Sequence, residues 1–300
     1  MSRVLLAAAL AYAAACAAGS RGATVPGGPG PHAAPPAPVP DHPATSPPAP
    51  RPPAALRYGP NAARYLVHRQ LHITQMIGGQ TQTQDLGARA FLAVALTGPA
   101  DSVGYPASFR VDSIVADSGT PPPIVDNMVR IRSLVFLGRV ASRGEFVNAT
   151  PSDSALAQAA LQLLGNLHDF LPRLPTDGLK PGAAWIDTVE TVQKPAGAEV
   201  TRRSIVHASA TAGWEDHGGA RSLRVVSDQT YLVMGSGKNL GQPFELSGTG
   251  TGTGTVFIAA DGRYLGGESR DSTALTVHLP VQGMEVPVIQ VARTTVAVLP

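Results

Sequence analysis

Alternation of apolar and polar residues is the main pattern of the chain after residue 56, and it predicts β-strands. In the segment 65–73, the alternation places Tyr65, Val67, Leu71 and Ile73 on one face of an extended strand. Other segments are apolar on both faces, which is typical of strands shielded from water on both sides. These two-sided apolar segments are residues 91–96, 134–137, 231–234 and 256–259.

The segment 151–171 has the period of a helix instead. Thr150 can cap its start, Pro151 suits the first helical position, and Asp153 stands where a capping-box acid would stand. Pro172 and Pro175 end the pattern. The apolar stripe of this predicted helix consists of Leu156, Ala160, Leu163, Leu164, Leu167, Phe170 and Leu171.

The strand-like segments before and after this helix follow a similar plan. The turn glycines Gly79 and Gly144 have counterparts at Gly197 and Gly262, at offsets near 120 residues. This spacing favours an internal duplication of two β-meander halves, about 60–149 and 183–300. The alternative is that any two all-β halves show hairpins at similar intervals. The three prolines at 121–123 are interpreted as a loop.

The predicted fold class is therefore mainly β, with one curled antiparallel sheet and one central helix. A single helix cannot cover a sheet of about ten strands, so the sheet must curl into a half-barrel or barrel with the helix across its opening. Such a sheet can enclose an apolar cavity or a filled core, and the pattern leaves both open.

The run Gly248 to Thr255 alternates glycine and threonine. As a strand, it would place four glycines on one face and four threonines on the other. A row of glycines would allow another backbone, a helix or a ligand to approach closely. The alternative is a flexible loop, and the β-branched threonines favour the strand.

The first 55 residues differ from the rest. Residues 1–15 have the positive start and short apolar run of a signal peptide, and they end before Cys16, the sole cysteine of the chain. We expect Cys16 to be lipidated; the alternative is an ordinary secretory signal. Residues 16–55 are rich in Pro and Ala and predict a disordered linker, which could extend for roughly 100 Å or have no spacing role. Residues 56–300 then form a single β-rich domain.

Composition and motifs exclude several classes of function. The net charge is +2, and no basic stripe with interleaved aromatic residues predicts nucleic-acid binding. No nucleophile elbow, phosphate loop, dinucleotide fingerprint or zinc-protease motif occurs, so we expect no enzyme, no cofactor and no metal site. His68 and His72 would be about 13 Å apart on a strand and could not share an ion.

Two groups of residues carry a resemblance to known families. The segment Ala13-Ala14-Ala15-Cys16 resembles the lipobox of bacterial lipoproteins, and together with the strand-turn-strand 256–265 it resembles lipoprotein carriers of the half-barrel type. The segment 179–185 is similar to a motif of uncharacterised bacterial lipoprotein families. The resemblance implies a cell-envelope protein, facing the periplasm or the cell surface, anchored in the outer membrane through its lipid because Ala17 follows the cysteine. It also implies that acyl chains bind in the concave face.

Two functional hypotheses follow. The first is a non-catalytic envelope lipoprotein that binds a lipid or lipopeptide in the concave sheet, lined by Phe91, Phe136, Met234 and Phe257. The second is a structural or protein-interaction module with a filled core and no ligand.

Overall fold

The computed structural model describes residues 55–157, 160, 167–193, 198–239 and 241–300, without the side chains of 122–124 and 127. The predicted signal peptide, Cys16 and the linker up to residue 54 lie outside these ranges.

In these ranges the protein is mainly β, as the sequence predicts, and twelve strands form one open antiparallel sheet. The strand order is β5-β4-β3-β2-β1-β12-β11-β10-β9-β7-β6, and the short β8 pairs with β9 beside this path. The strands are β1 Asn61–Ile77, β2 Gln80–Leu96, β3 Tyr105–Ala116, β4 Val135–Val140, β5 Phe146–Pro151, β6 Ala184–Gln193, β7 Ala198–Ala210, β8 Glu215–His217, β9 Ala220–Asn239, β10 Gln242–Ala259, β11 Tyr264–Leu279 and β12 Met284–Leu299.

The order of the strands divides the sheet into two meanders. Strands β1–β5 form the first and β6–β12 the second, and they join where β1 pairs with β12, with Val67 opposite Val296. The edges of the sheet are therefore β5 and β6, which are consecutive along the chain. The described parts of the connection between them, residues 152–157, 160 and 167–183, pack against the inner face, defined here as the face that carries the buried Tyr65 and Phe109.

The inner face carries two apolar clusters. One surrounds Tyr65 and Phe109 and includes Leu174 from the connection. The other surrounds Ile73 and Val288 and contains only strand residues. Burial of alternate residues along β1 follows from the two-residue period of a strand, and it includes the predicted face of Tyr65, Val67, Leu71 and Ile73.

A helix, α1 (Pro122–Arg130), follows β3, where the prolines 121–123 were interpreted as a loop. That interpretation is wrong for Pro122 and Pro123. Proline is tolerated in the first turn of a helix because the backbone N–H that it lacks has no partner there. The helix is held by Met128, which is buried in the first cluster, and the following Ile131 is also buried.

In the structure, the helix predicted for residues 151–171 begins later, at residue 154. Thr150 and Pro151 belong to β5, so Thr150 is not the cap. Instead, Asp153 Oδ1 accepts hydrogen bonds from the backbone N–H groups of Ala155 and Leu156 at 2.9 and 3.0 Å. Residues 154–157 and 160 are helical, and a 3-10 helix spans Leu167–Asp169. Residues 158–159 and 161–166 lie outside the described residues. In the part of the chain that the structure describes, no helix is long and apolar enough to cross a membrane.

Candidate ligand-binding cavity

A cavity of about 240 Å³ lies between residues 169–173 of the connection and the inner face of the sheet, at strand β1 and the second meander. Its walls are formed mainly by valines and aromatic residues, with polar groups at the rim and the floor. The main lining residues are Val67, Arg69, Asp169, Phe170, Leu171, Arg173, Trp185, Asp187, Val189, Arg202, Ser204, Val206, Ala208, Val225, Ser227, Gln229, Val256, Tyr264, Ser269, Asp271, Ala292, Thr294 and Val296.

The cavity exists because a row of small residues crosses five adjacent strands. Ala208 pairs with Ser227, Ser227 with Gly254, Gly254 with Ser269, and Ser269 with Thr294. All five lie on the inner face, so their side chains leave space under the connection that larger residues would fill.

The connection forms the roof of the cavity through Phe170. Its ring makes edge-on contacts with Tyr65 at 5.3 Å, Phe109 at 5.5 Å and Tyr264 at 6.0 Å between ring centroids. Edge-to-face geometry at these distances is favourable for aromatic pairs. The same ring thus lines the cavity and fastens the connection to strands β1, β3 and β11.

Charged groups form an ion-pair network at the rim. Arg173 lies 3.0 Å from Asp169, 3.6 Å from Glu145 and 3.9 Å from Asp187, and Arg143 lies 2.5 Å from Asp187. Burial alone would raise the pKa of Asp169, but its hydrogen bond with His168 and the charge of Arg173 outweigh burial and hold its pKa below the usual value. The network joins the turn between β4 and β5, strand β6 and the connection.

The floor of the cavity contains a buried polar cluster. Arg202 and Asp271, each 5 % exposed, form an ion pair at 3.3 Å. Arg202 Nε donates to Ser204 Oγ at 3.2 Å, and Gln229 Nε2 donates to Asp271 Oδ1 at 3.2 Å. The guanidinium carbon of Arg202 lies 3.5 Å from the ring centroid of Tyr231. Such buried charges are costly unless they are paired and hydrogen-bonded, so this cluster is held in a defined geometry.

The Gly-Thr run is a strand, as the interpretation favoured, and lies within β10. Its glycines face inward and its threonines outward. A Cβ at Gly250 would meet the Tyr231 ring, and one at Gly252 would meet the side chains of Gln229 and Asp271. The glycine row therefore makes room for the polar cluster, whose side chains come from neighbouring strands and lie over the β10 backbone.

The structure does not bring the four predicted ligand-binding residues together. Phe91, Met234 and Phe257 lie on the outer face of the sheet; Met234 is 60 % exposed, and Phe257 stacks on His217 at 3.6 Å between centroids. Phe136 faces inward but is packed in the first apolar cluster, away from the cavity lining. The sequence runs around these residues are apolar on both faces, so they could not show which face is the inner one.

A charged residue interrupts the apolar face of β1, and this interruption could have revealed Arg69, which the sequence analysis missed. Arg69 falls between Val67 and Leu71 on the apolar face, and it is 7 % exposed. A charged residue at a core position marks either a paired buried charge or a binding site. Arg202 and Asp271 come from the separate strands β7 and β11. The sequence of neither strand indicates that these two side chains meet.

The histidines of β1 lie on the outer face. His68 Nε2 is 2.6 Å from Asp117, and His72 Nδ1 is 2.7 Å from Asp85. Among the described residues, no group of three or more His, Cys, Asp or Glu side chains could hold a metal ion. The two histidines thus form separate pairs with carboxylates.

Comparison with protein-family models finds no match for this chain, and comparison with curated proteins finds no significant relative. The functional argument therefore depends on the cavity itself.

Proposed function

We propose that this protein is a non-catalytic lipoprotein of the cell envelope that binds an apolar or amphipathic ligand in its curled sheet. The observation that supports this proposal is the cavity under Phe170, because it combines a mainly apolar wall with charged and hydrogen-bonding groups at the rim and floor. Sites for small amphipathic ligands combine these features: the apolar wall supplies affinity and a few polar groups fix orientation.

The size of the cavity limits the ligand. A dry apolar cavity of about 150 Å³ is enough to bind benzene, and this one is larger, at about 240 Å³. It suits a small apolar body or part of an acyl chain. Trp185 and Val189 line it from the edge strand β6 and are only half-buried, so a longer chain would leave the cavity along this edge.

The proposed location follows from residues 1–55. A lipid on Cys16 would anchor the chain in the outer membrane, and the Pro-rich linker would hold the sheet away from the bilayer surface. The ligand would then come from a membrane or from another envelope protein.

Native mass spectrometry of the full-length chain, purified from its own cells, tests the ligand proposal. We expect an added mass that disappears after organic extraction or denaturation. A lipid covalently attached to Cys16 would remain after denaturation, so the two are distinguishable. The Ser227→Leu variant, which fills the cavity, should lose the added mass, whereas Thr230→Leu on the outer face of the same strand should keep it. Detection of only the protein and its covalent modifications would contradict the proposal.

The outer face favours a second candidate function, which is docking to another envelope protein. Met234 is 60 % exposed, Leu232 53 %, Val192 50 % and Ile205 46 %, and they lie on the outer face of the neighbouring strands β6, β7 and β9, with Thr201 and Arg203 between them. Exposed apolar residues grouped on one face and mixed with polar residues are typical of interaction surfaces. A photo-crosslinker at position 234 should capture one defined protein in cells; if it captures none while native mass spectrometry shows a ligand, this candidate is excluded.

A further inference from the structure

Two exposed arginines lie directly opposite each other on the outer face of the sheet, away from the cavity. Arg270 of β11 is the cross-strand partner of Arg293 of β12. Their Cβ atoms are therefore about 5 Å apart, the spacing of directly opposed residues. Gln70 of β1 is the next residue of the same row, opposite Arg293. Like charges in directly opposed positions destabilise a strand pair, so this arrangement is favourable only with a negative charge beside it.

The part of the chain that the structure describes does not supply that charge through a direct contact. Within it, neither Arg270 nor Arg293 forms an ion pair or a side-chain hydrogen bond. The exposed Glu268 lies two residues before Arg270 on the same face, and it is paired with neither guanidinium group. By contrast, Arg203 on the same face of the sheet lies 2.7 Å from Glu190. The donors of the opposed arginines are thus available to a ligand.

The two guanidinium groups line a polar concavity of about 410 Å³. Besides them, its lining includes the side chain of Gln70, which adds an amide donor, and Ser118 from the loop that follows β3. Because Gln70, Arg293 and Arg270 occupy one row on three adjacent strands, their side chains rise into the same concavity.

The loop after β3 gives this concavity a second wall. Asp117 donates its backbone N–H to Gly87 O at 2.8 Å, and Thr120 donates its hydroxyl to the same oxygen at 3.1 Å. A Cβ at position 87 would meet the Asp117 side chain, so a glycine is required for the loop to lie against β2. The concavity is therefore built by the fold and is not an accident of side-chain orientation.

The carboxylates of the concavity lie on its far side and have partners of their own. Asp117 is 2.6 Å from His68 and 3.2 Å from Arg89, and Asp85 is 2.7 Å from His72. Both carboxylates lie at strand β2, which is separated from β12 by β1. Two strand spacings correspond to about 10 Å. The end of the concavity at β11 and β12 therefore favours an anion.

We propose that Arg270 and Arg293, with Gln70 beside them, bind the phosphate group of a phosphate monoester. A guanidinium group offers parallel N–H donors that match a phosphate, and two opposed groups hold it from two sides. A phosphate monoester carries roughly two negative charges near pH 7, as many as the arginines carry positive ones, whereas a carboxylate carries one. The phosphate belongs either to a lipid headgroup or to a small soluble ester. The site lies on the outer face and does not depend on the proposed function of the cavity.

Isothermal titration calorimetry on the full-length chain, at constant ionic strength, tests this proposal with glycerol 3-phosphate, the water-soluble dihexanoyl phosphatidic acid, and acetate. We expect glycerol 3-phosphate to bind at least about tenfold more tightly than acetate, as additional charge-assisted hydrogen bonds would give. Tighter binding of the phosphatidic acid than of glycerol 3-phosphate would assign the site to a lipid headgroup, and equal or weaker binding would assign it to a soluble ester. Only the affinity that is lost in the arginine variants counts, because the acyl chains could also enter the cavity.

Three substitutions separate this site from general effects. Arg270→Gln and Arg293→Gln should each weaken glycerol 3-phosphate binding about tenfold or more. Glu268→Gln should strengthen it, because a neighbouring negative charge is removed. The matched control is Arg203→Gln, which removes an exposed guanidinium group of the same face and should leave the affinity unchanged. Urea unfolding shows that each variant is folded; Arg293→Gln should not destabilise the free protein, since it relieves the repulsion between like charges.

Three results would overturn the proposal. The first is that neither phosphate ester binds. The second is that glycerol 3-phosphate binds the parent protein and the two arginine variants equally. The third is equal affinity for acetate and glycerol 3-phosphate, which would remove the assignment to a phosphate. None of these results bears on the cavity, whose ligand is tested by native mass spectrometry.

Discussion

The ring of Tyr231 lies directly over the backbone of Gly250, its cross-strand neighbour, and fills the space that a side chain at position 250 would need. Its hydroxyl is 2.6 Å from Thr273 Oγ1 on the far side of β10. One glycine therefore allows a tyrosine from β9 to reach across β10 to β11. The same ring supports the guanidinium of Arg202, so the glycine row and the buried polar cluster form one structural unit.

The first prediction concerns this contact. Gly250→Ala should destabilise the protein by about 1–3 kcal/mol, the range for overpacked cores, because the Tyr231 ring must move away from its hydrogen-bond partner. Urea unfolding measures the change. Thr251→Ala, at an exposed position on the opposite face of the same strand, should change stability by less than about 0.5 kcal/mol. Equal effects of the two substitutions on stability would show that the position of the Tyr231 ring does not require glycine at position 250.

The second prediction concerns the small residues that create the cavity. Ser227→Leu should lower ligand affinity by at least about tenfold without loss of stability, because the added methyl groups occupy existing space and bury apolar surface. Native mass spectrometry of the copurified ligand and urea unfolding give the two quantities. A variant that retains the ligand as well as the parent protein would show that the ligand lies elsewhere.

The third prediction concerns the roof. Phe170→Ala should cost about 3 kcal/mol, since it removes contacts with Tyr65, Phe109 and Tyr264. Phe170→Leu should cost less, because it keeps apolar contact in the same place. Amide hydrogen exchange should increase first in residues 167–174 of the connection, before the strands. Exchange that increases only with global unfolding would mean that the connection is not held by this ring.

The fourth prediction concerns pH. The pKa of Asp169 is held below its usual value, with burial opposing the shift and His168 and Arg173 producing it. A carboxyl group whose pKa is lower in the folded state stabilises the fold at pH values above its unfolded-state pKa of about 4. This contribution disappears as the pH falls through the folded-state pKa. Asp169→Asn should therefore destabilise the protein at about pH 6 and much less at about pH 3.

Urea unfolding of both proteins at the two pH values checks this prediction. His168→Ala is a useful companion variant, because it removes the hydrogen bond to Asp169 and keeps the charge of Arg173. His168→Ala should reduce the pH-dependent contribution of Asp169 to stability without abolishing it. The assigned pKa direction would be contradicted if Asp169→Asn lowered the free energy of unfolding by the same amount at both pH values.

Local patterns predicted the β class, the face of Tyr65 and Val67 on β1, and the opposite faces of glycine and threonine in β10. These predictions succeed because the two-residue period of a strand is a property of the backbone alone. The order of the strands in two meanders, and the position of the connection over the inner face, also agree with the predicted curled sheet. The helix boundaries were less accurate, since Thr150 pairs in β5 and Asp153 caps the helix instead.

The sequence by itself thus determined that the protein is a curled β-sheet with a covering segment. Only the tertiary structure decided which face of the two-sided apolar runs is the inner one, and it placed Phe91, Met234 and Phe257 outside. It alone brought Arg202 of β7 beside Asp271 of β11, 69 residues further along the chain. The physical reason is that strand register, which arises from pairing across the whole sheet, decides which distant side chains meet.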